Sequence, residues 1–310
     1  MSAESKVETP DTPMCTGHLA IIDVLGWKGI WKRHGVGPVL HAVEVVRAVA
    51  AEIDTQSAAY FQPLTPQTMV DVVEKWRPLA EQHGGEVLEE FDRRMRDAQA
   101  NLPKEPMLRV ETVFLSDTLV IGSWTPAVWG PQVAENLAPI RRIHLCSAVA
   151  RTQRDCALAG VPLIFRGTIS PGEFLINQNL ILGQAVDDAA ELMDEANAAI
   201  VWFTPPTFSE PEDRQVAHFL DYAVPLHDGR HVWAQAVNPF FGCYKREEIE
   251  LVFQGMLRAF GDSAKLDIVI KKQSTALFLS HARDQWLAYL DSPRGREIVA
   301  AMSKGATPQR

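Results

Sequence analysis

The chain has 310 residues with 30 basic and 39 acidic side chains, giving a net charge of −9. This excess of acid argues against a protein that coats DNA or RNA, because such proteins present a basic surface. The apolar content of 46% is that of a globular protein with a sizeable core. No segment has the ~18 consecutive apolar residues of a membrane span, and residues 1–16 lack the residue order of a signal peptide. We therefore expect a cytoplasmic protein with a disordered tail at 1–16 and four reduced, unpaired cysteines.

Strand and helix patterns alternate along the chain, which favours an α+β fold with helices packed on a sheet. The first strand is an apolar run from Leu19 to Val24 that contains one carboxylate, Asp23. A helix over 37–54 follows, with its apolar side chains on one stripe. A charged stretch at 65–101 then predicts one or two helices.

The strongest strand signal lies in the middle of the sequence, where Leu108–Leu115 and Thr118–Ile121 are joined through Ser116-Asp117 as in a tight hairpin. A long helix is predicted over about 131–159. The next strand contains Arg166 and is expected to turn at Pro171-Gly172. The remaining predicted elements are a helix over 184–197, strands over 200–203, 222–226 and 231–237, and helices from 245 to 302.

Three polar residues stand at strand ends or in the turns beside them: Asp23, Asp117 and Arg166. Two carboxylates on neighbouring strands can share divalent cations with substrate phosphates, and two such ions can promote in-line displacement at phosphorus. The turn at Gly26 would let backbone amides approach phosphate, helped by the helix behind it. Arg166 would supply a fixed cation for phosphate oxygens.

Each residue also has a structural interpretation. Asp117 fits the chemistry of a hairpin turn, and Arg166 could pair with a surface acid. Asp23 is the hardest to explain structurally, because an unpaired carboxylate in an apolar strand is costly. The pair Lys271-Lys272 is interpreted as part of a solvated helix face.

Four segments, in order, resemble the motifs of the class III nucleotidyl cyclase catalytic domain: IIDVLGWKGI, VETVFLSDTLVI, FRGTISPGEFL and LGQAVDDAAELM. That family has a metal-binding Asp followed by Gly-aromatic at its first strand, a second metal-binding Asp at a hairpin, and Arg six residues before Gly. The likeness covers roughly 18–237. The helical insertion at about 65–101, Trp27 and the helical C-terminal extension are most similar to the pyrimidine cyclases of bacterial Pycsar antiphage systems.

This resemblance implies a catalytic domain over 17–243 and a helical extension over 244–310. It implies two divalent cations, Mn²⁺ or Mg²⁺, held by Asp23, Asp117 and the Val24 carbonyl. The remaining implied site residues are the backbone of Leu25, Gly26 and Trp27 around the triphosphate, Arg166 on phosphate, and Asp187, which positions the substrate. The implied assembly is a head-to-tail homodimer in which the Asp187 helix completes the partner's site.

Three positions depart from the family pattern. Glu191 replaces the family's transition-state Arg. Val113 and Leu180 stand where the family has its purine-reading Lys and Asp, which counts against ATP and GTP as substrates.

The resemblance therefore implies conversion of UTP to 3′,5′-cyclic UMP and diphosphate, with the product acting as a second messenger for an effector protein in antiphage defence. Three alternatives stay open. The substrate could be CTP, and the chain could be an inactive cyclase homologue that binds a nucleotide as a sensor. It could also be an interaction protein whose charged helices at 65–101 and 245–302 bind a partner, in which case Asp23 and Asp117 would lie far apart.

Overall fold

The computed structural model describes residues 14–60, 74–75, 77–82, 84–100, 104–177, 180–205 and 218–303. The strands are β1 (Cys15–Val24), β2 (Arg109–Leu115), β3 (Thr118–Trp124), β4 (Phe165–Asn177), β5 (Leu180–Leu182), β6 (Val201–Phe203), β7 (Phe219–Pro225) and β8 (His231–Val237). The α-helices of defined extent are α1 (Ile30–His34), α2 (Val36–Tyr60), α3 (Gly85–Ala100), α4 (Gly130–Asn136), α5 (Ala138–Leu158), α6 (Gln184–Met193), α7 (Arg246–Arg258), α8 (Leu266–Asp291) and α9 (Pro293–Ser303).

The strands form one mixed sheet in the order β2-β3-β1-β4-β6-β8-β7, and β5 pairs with β4 at its end. Every pairing is antiparallel except that of β4 with β6, which is parallel. The first strand of the chain therefore lies inside the sheet, with β3 on one side and β4 on the other. The fold is α+β, as the alternating patterns predicted.

Side chains on β1 alternate between two apolar layers. Ala20 and Ile22 point into a core formed with α2 and α5, whereas Leu19 and Ile21 point into a smaller core covered by α6. A third core joins α7 and α8 to the strands at the far end of the sheet, around the buried Trp286. The predicted C-terminal extension therefore shares its apolar core with β6, β7 and β8.

The predicted hairpin is confirmed, because Leu115 pairs with Thr118 across a two-residue turn and Ser116 there has a φ of 60°. The helix predicted over 37–54 is also present and extends to both sides as α2. The helix predicted over 131–159 is divided into α4 and α5, with Leu137 between them.

The predicted turn at Pro171-Gly172 is wrong, because β4 continues through both residues. Pro171 pairs with His18 of β1, and β6 pairs with β4 only at Gly167–Ile169. In the described part of the chain, Pro171 therefore has a strand on one side only, a position in which its missing N–H is tolerated.

Two further expectations concern the chain ends and the cysteines. β1 begins at Cys15 and so includes the last two residues of the predicted tail, and residues 1–13 lie outside the described part. All four cysteines are unpaired, as expected. The predicted helical insertion is helical at 74–75, 77–82 and in α3, as expected, and its residues 65–73, 76, 83 and 101 lie outside the described part. Among the helices that are described, none is both long and apolar enough to cross a membrane.

The contact between β1 and β4 leads to a stability prediction. A Cβ at Gly167 would overlap the Ile21 carbonyl oxygen and lie 2.8 Å from the Ile22 Cα. Gly167→Ala should therefore lower the free energy of unfolding by about 1–3 kcal/mol through overpacking. Chemical denaturation measures the change. Gly37→Ala is the matched control, because no atom lies within 4 Å of its Cβ, and an equal loss in both variants would contradict the prediction.

Candidate active site

Three polar side chains lie side by side on three neighbouring strands. In the sheet register, Asp23 of β1 is opposite Thr118 of β3 and opposite Arg166 of β4. Thr118 donates a hydrogen bond to the Asp23 carboxylate at 3.4 Å, and an Arg166 nitrogen lies 4.0 Å from the other Asp23 oxygen. Strand alternation places Asp23 on the face that carries Leu19 and Ile21, so the carboxylate ends an otherwise apolar row.

Asp117 lies next to this row in the hairpin turn. Its carbonyl oxygen accepts a hydrogen bond from the Val24 N–H at 3.0 Å, which ties the turn to the end of β1. Ser116 adopts the left-handed backbone conformation that such a two-residue turn requires. The two acids that the sequence singled out are therefore brought together, which argues against the interaction-protein alternative.

The electrostatics of Asp23 reflect this crowding. Burial raises the pKa of Asp23 to about 6, and the facing charge of Asp117 raises it further, whereas Arg166 opposes the shift. The Asp23 side chain is only 16% exposed. Two carboxylates that repel each other at the end of a sheet would gain from a cation placed between them.

The loop after β1 turns sharply at Gly26, whose φ is 77°. The Leu25 N–H donates to the Ile164 carbonyl at 2.8 Å, and the Trp27 N–H donates to the Val24 carbonyl at 3.2 Å. Of the three backbone amides predicted to bind the triphosphate, these two are already used within the protein, so the prediction is kept only for the Gly26 amide. The Val24 carbonyl keeps one lone pair for a cation.

The helix expected behind this loop is α2, which begins only at Val36, and a short helix that the sequence did not predict lies between the loop and α2. α1 contains only five residues, Ile30–His34, before the chain turns again at Gly35. Such a short helix has little dipole to offer. Instead, the Arg33 guanidinium donates to the Gly26 carbonyl and holds the loop closed.

Arg166 has a partner that the sequence did not indicate. Its guanidinium forms an ion pair with the Asp194 carboxylate at 2.5 Å and lies 3.4 Å from the Asp194 carbonyl oxygen. Asp194 follows the last residue of α6 and is 67% exposed, whereas Arg166 is 13% exposed. The buried Nε of Arg166 finds no acceptor among the described residues, so the guanidinium keeps hydrogen-bonding capacity for a ligand.

Asp187 occupies a different position. It is exposed in the first turn of α6, whose buried Ala185 and Ala189 pack on the face that carries Asp23. Within the described residues, Asp187 forms no ion pair with Arg166. Its predicted role in a partner's site remains a prediction, and Glu191 is also exposed on this helix.

The two positions that depart from purine recognition differ in burial. Val113 is buried in the apolar cluster beside Leu19, where its side chain can form no hydrogen bond to a base. Leu180 is 46% exposed on the short strand β5.

The acids fit a cation that is shared with a substrate. No group of three or more His, Cys, Asp or Glu side chains suited to a metal occurs in the part of the chain that is described. Asp23 and Asp117 alone would not form a complete protein cage. Mg²⁺, however, commonly takes one or two carboxylates and completes its shell with phosphate oxygens and water, which is what this pair offers.

Comparison with known proteins gives no assignment. No protein-family model matches the chain, and no curated protein sequence matches it.

The crowding of Asp23 predicts how stability responds to pH and metal. Because the pKa of Asp23 is raised, its protonated carboxyl favours the folded state. This contribution to stability is fully present below about pH 4 and is lost as the pH rises through about 6. Asp23→Asn should therefore gain up to about 3 kcal/mol in unfolding free energy over wild type across this window in a chelator. Added Mn²⁺ should raise the melting temperature of wild type at pH 7.5 but not that of Asp23→Asn.

Asp54→Asn is the matched control. Burial also raises the pKa of Asp54 to about 6, but this carboxylate lies beside Thr112, which donates to it at 3.0 Å. Its variant should respond to Mn²⁺ as wild type does. A Mn²⁺ response that survives in Asp23→Asn would remove Asp23 from the metal site.

Proposed function

We propose that this protein is a nucleotidyl cyclase that converts a nucleoside triphosphate, preferably UTP, to its 3′,5′-cyclic monophosphate and diphosphate. The observation that supports this most is the row Thr118–Asp23–Arg166 with Asp117 beside it. It combines a carboxylate pair for divalent cations with a cation for phosphate at one end of the sheet.

The two acids and the arginine of this row each have a role in the proposed site, together with the neighbouring backbone. Asp23 and Asp117 hold the cations, and the Val24 carbonyl is a further oxygen ligand. Bound Mn²⁺ or Mg²⁺ would make the 3′-hydroxyl more acidic and neutralise charge on the leaving diphosphate. Arg166 binds phosphate oxygens, and the Gly26 amide donates to the triphosphate at the turn.

The reaction breaks one bond and forms another at the same phosphorus. The 3′-oxygen attacks the α-phosphorus, the bond to the β-phosphate oxygen breaks, and the hydroxyl proton passes to solvent. No redox partner or covalent intermediate is needed. The protein therefore acts through position and charge, which are the main contributions to catalysis in phosphoryl transfer.

The ion pair between Arg166 and Asp194 suggests how phosphate enters. Asp194 is mostly exposed, so its bond to Arg166 is weak after screening by water. A triphosphate carries more charge than one carboxylate and can replace Asp194 on the guanidinium. The buried charge of Arg166 would then be neutralised by an anion at all times, first by Asp194 and then by the triphosphate.

The choice of base and the assembly follow from the sequence resemblance. Val113 and Leu180 offer no polar contact to a purine edge, which favours a pyrimidine. We propose a homodimer in which Asp187 of one chain positions the substrate of the other. The cyclic nucleotide would activate a separate effector protein, as in the antiphage systems that the motifs resemble.

Incubation with ATP, GTP, CTP or UTP and Mn²⁺ tests the reaction and the base together. Wild type should form cyclic UMP, measured by mass spectrometry. Asp23→Ala and Asp117→Ala should each lower the rate at least about 100-fold, because each removes charge that faces the reacting phosphates. Asp284→Asn is the control, since this acid is 70% exposed on α8 and pairs with Arg283.

The products separate the alternatives. Cyclic CMP as the main product would replace UTP by CTP as the substrate. Nucleotide binding without any product would support the inactive sensor. Full activity in either aspartate variant would contradict the two-metal site.

Arg166 is tested separately through its partner. Arg166→Ala should lower kcat/KM for UTP by about 100-fold, because a buried cation for phosphate is lost. Asp194→Asn leaves the guanidinium in place and should lower kcat/KM less than tenfold. Steady-state kinetics at saturating Mn²⁺ measure both variants. Equal losses in the two would show that Arg166 acts through its ion pair with Asp194 and not on substrate.

A further inference from the structure

A second cation reaches the neighbourhood of Arg166 from the C-terminal part of the chain. Lys271 lies on α8, about a hundred residues after Arg166 in the sequence. Its electrostatic neighbours are Arg166, Asp194 and Asp267. The helical extension therefore contributes charge to the candidate active site, although its sequence pattern indicated only a solvated face.

A chain of hydrogen bonds fixes the backbone of α8 at Lys271. The fully buried Thr275 donates its hydroxyl proton to the Lys271 carbonyl at 2.7 Å and accepts from the Ala199 N–H at 2.8 Å. The next residue, Ile200, accepts from the Gly167 N–H at 3.0 Å. Hydrogen bonds therefore link this turn of α8, through Ala199 and Ile200, to Gly167, which follows Arg166 in β4.

The region contains three basic side chains from three elements. Arg166 comes from β4, Lys271 from α8, and His227 from the turn between β7 and β8; we call them the basic cluster. Burial lowers the pKa of His227, the charges of Lys271 and Arg166 lower it further, and Glu195 and Asp194 oppose this. Asp194 is the acid that all three members of the basic cluster share.

The state of Lys271 is unusual for a surface lysine. It is half-buried, and burial and the charge of Arg166 lower its pKa, whereas Asp267 and Asp194 oppose this shift. Its ammonium forms no ion pair within 4.0 Å among the residues that are described. A lysine in this position loses hydration and faces another cation, which is unfavourable until a further anion binds.

We propose that Lys271 is a phosphate-binding residue that holds the triphosphate of the substrate together with Arg166. This inference rests on the proposed function, because it assigns a second cation to the same site. A triphosphate would add negative charge beside these cations, beyond that of Asp194 and Asp267. The C-terminal extension is then part of the active site.

Binding of inorganic diphosphate with Mg²⁺, measured by isothermal titration calorimetry on the full chain, tests this without any turnover. Lys271→Met keeps the apolar stem and removes the charge. We expect its dissociation constant to rise about tenfold, as for loss of one charged hydrogen bond. Lys271→Arg keeps the charge and should stay within about threefold of wild type.

Lys272→Met is the matched control on the next position of α8, where the ammonium donates to the Gly261 carbonyl at 3.3 Å. It should bind diphosphate as wild type does. Thermal melting is measured for every variant, and Lys271→Gln replaces Lys271→Met if the latter is unstable. Unchanged binding in the stable Lys271 variant, with weaker binding in Arg166→Ala, would overturn the inference.

The remaining outcomes separate the inference from the reaction. If wild type binds no diphosphate, both Lys271 and Arg166 are removed as phosphate ligands. If binding depends on Lys271 but no nucleoside triphosphate is converted, the proposed reaction is wrong and Lys271 remains a phosphate ligand.

Discussion

The candidate site depends on the register of β1 within the sheet. With β3 on one side and β4 on the other, this strand has no freedom to slip, and Asp23 is held between Thr118 and Arg166. A shift of one residue would turn the carboxylate toward the core formed with α2 and α5. The close approach of β4 at Gly167, where no side chain would fit, maintains that register. The chemistry of the site thus follows from how the sheet is paired.

The sequence predicted the parts of this arrangement that are local. The hairpin follows from alternating apolar residues on both sides of Ser116-Asp117, and Asp23 stands out because burial of a carboxylate is costly. Asp194 and Lys271 gave no such signal, because each is an ordinary charged residue at a helix end or on a helix. Asp194 pairs with Arg166, and the charge of Lys271 acts on the same region, only after α6 and α8 have packed on the sheet. Pro171-Gly172, in contrast, gave a local signal for a turn that is not present, because pairing with β1 keeps both residues in the strand.

Arg166 shows how a buried cation can be stable before substrate binds. Asp194 compensates its charge from the solvent side, and the guanidinium also lies 4.0 Å from the Asp23 carboxylate. The site can then remain folded without a ligand and still offer hydrogen bonds to one. The connection from α8 through Thr275 to Ala199 extends this idea to the C-terminal helices. Their apolar packing on β6, β7 and β8 sets the distance between two cations that lie far apart in the chain.

The central position of β1 also affects how the protein is synthesised. Its apolar run leaves the ribosome before β3, and the hydroxyl of Thr118 that contacts Asp23 comes 95 residues later, a delay of several seconds at about 5–20 residues per second. Until then the strand has two unpaired edges and is prone to self-association. Asp23 places a charge in this segment during the delay, and charges of this kind oppose aggregation. The carboxylate would therefore protect the nascent chain before any site exists.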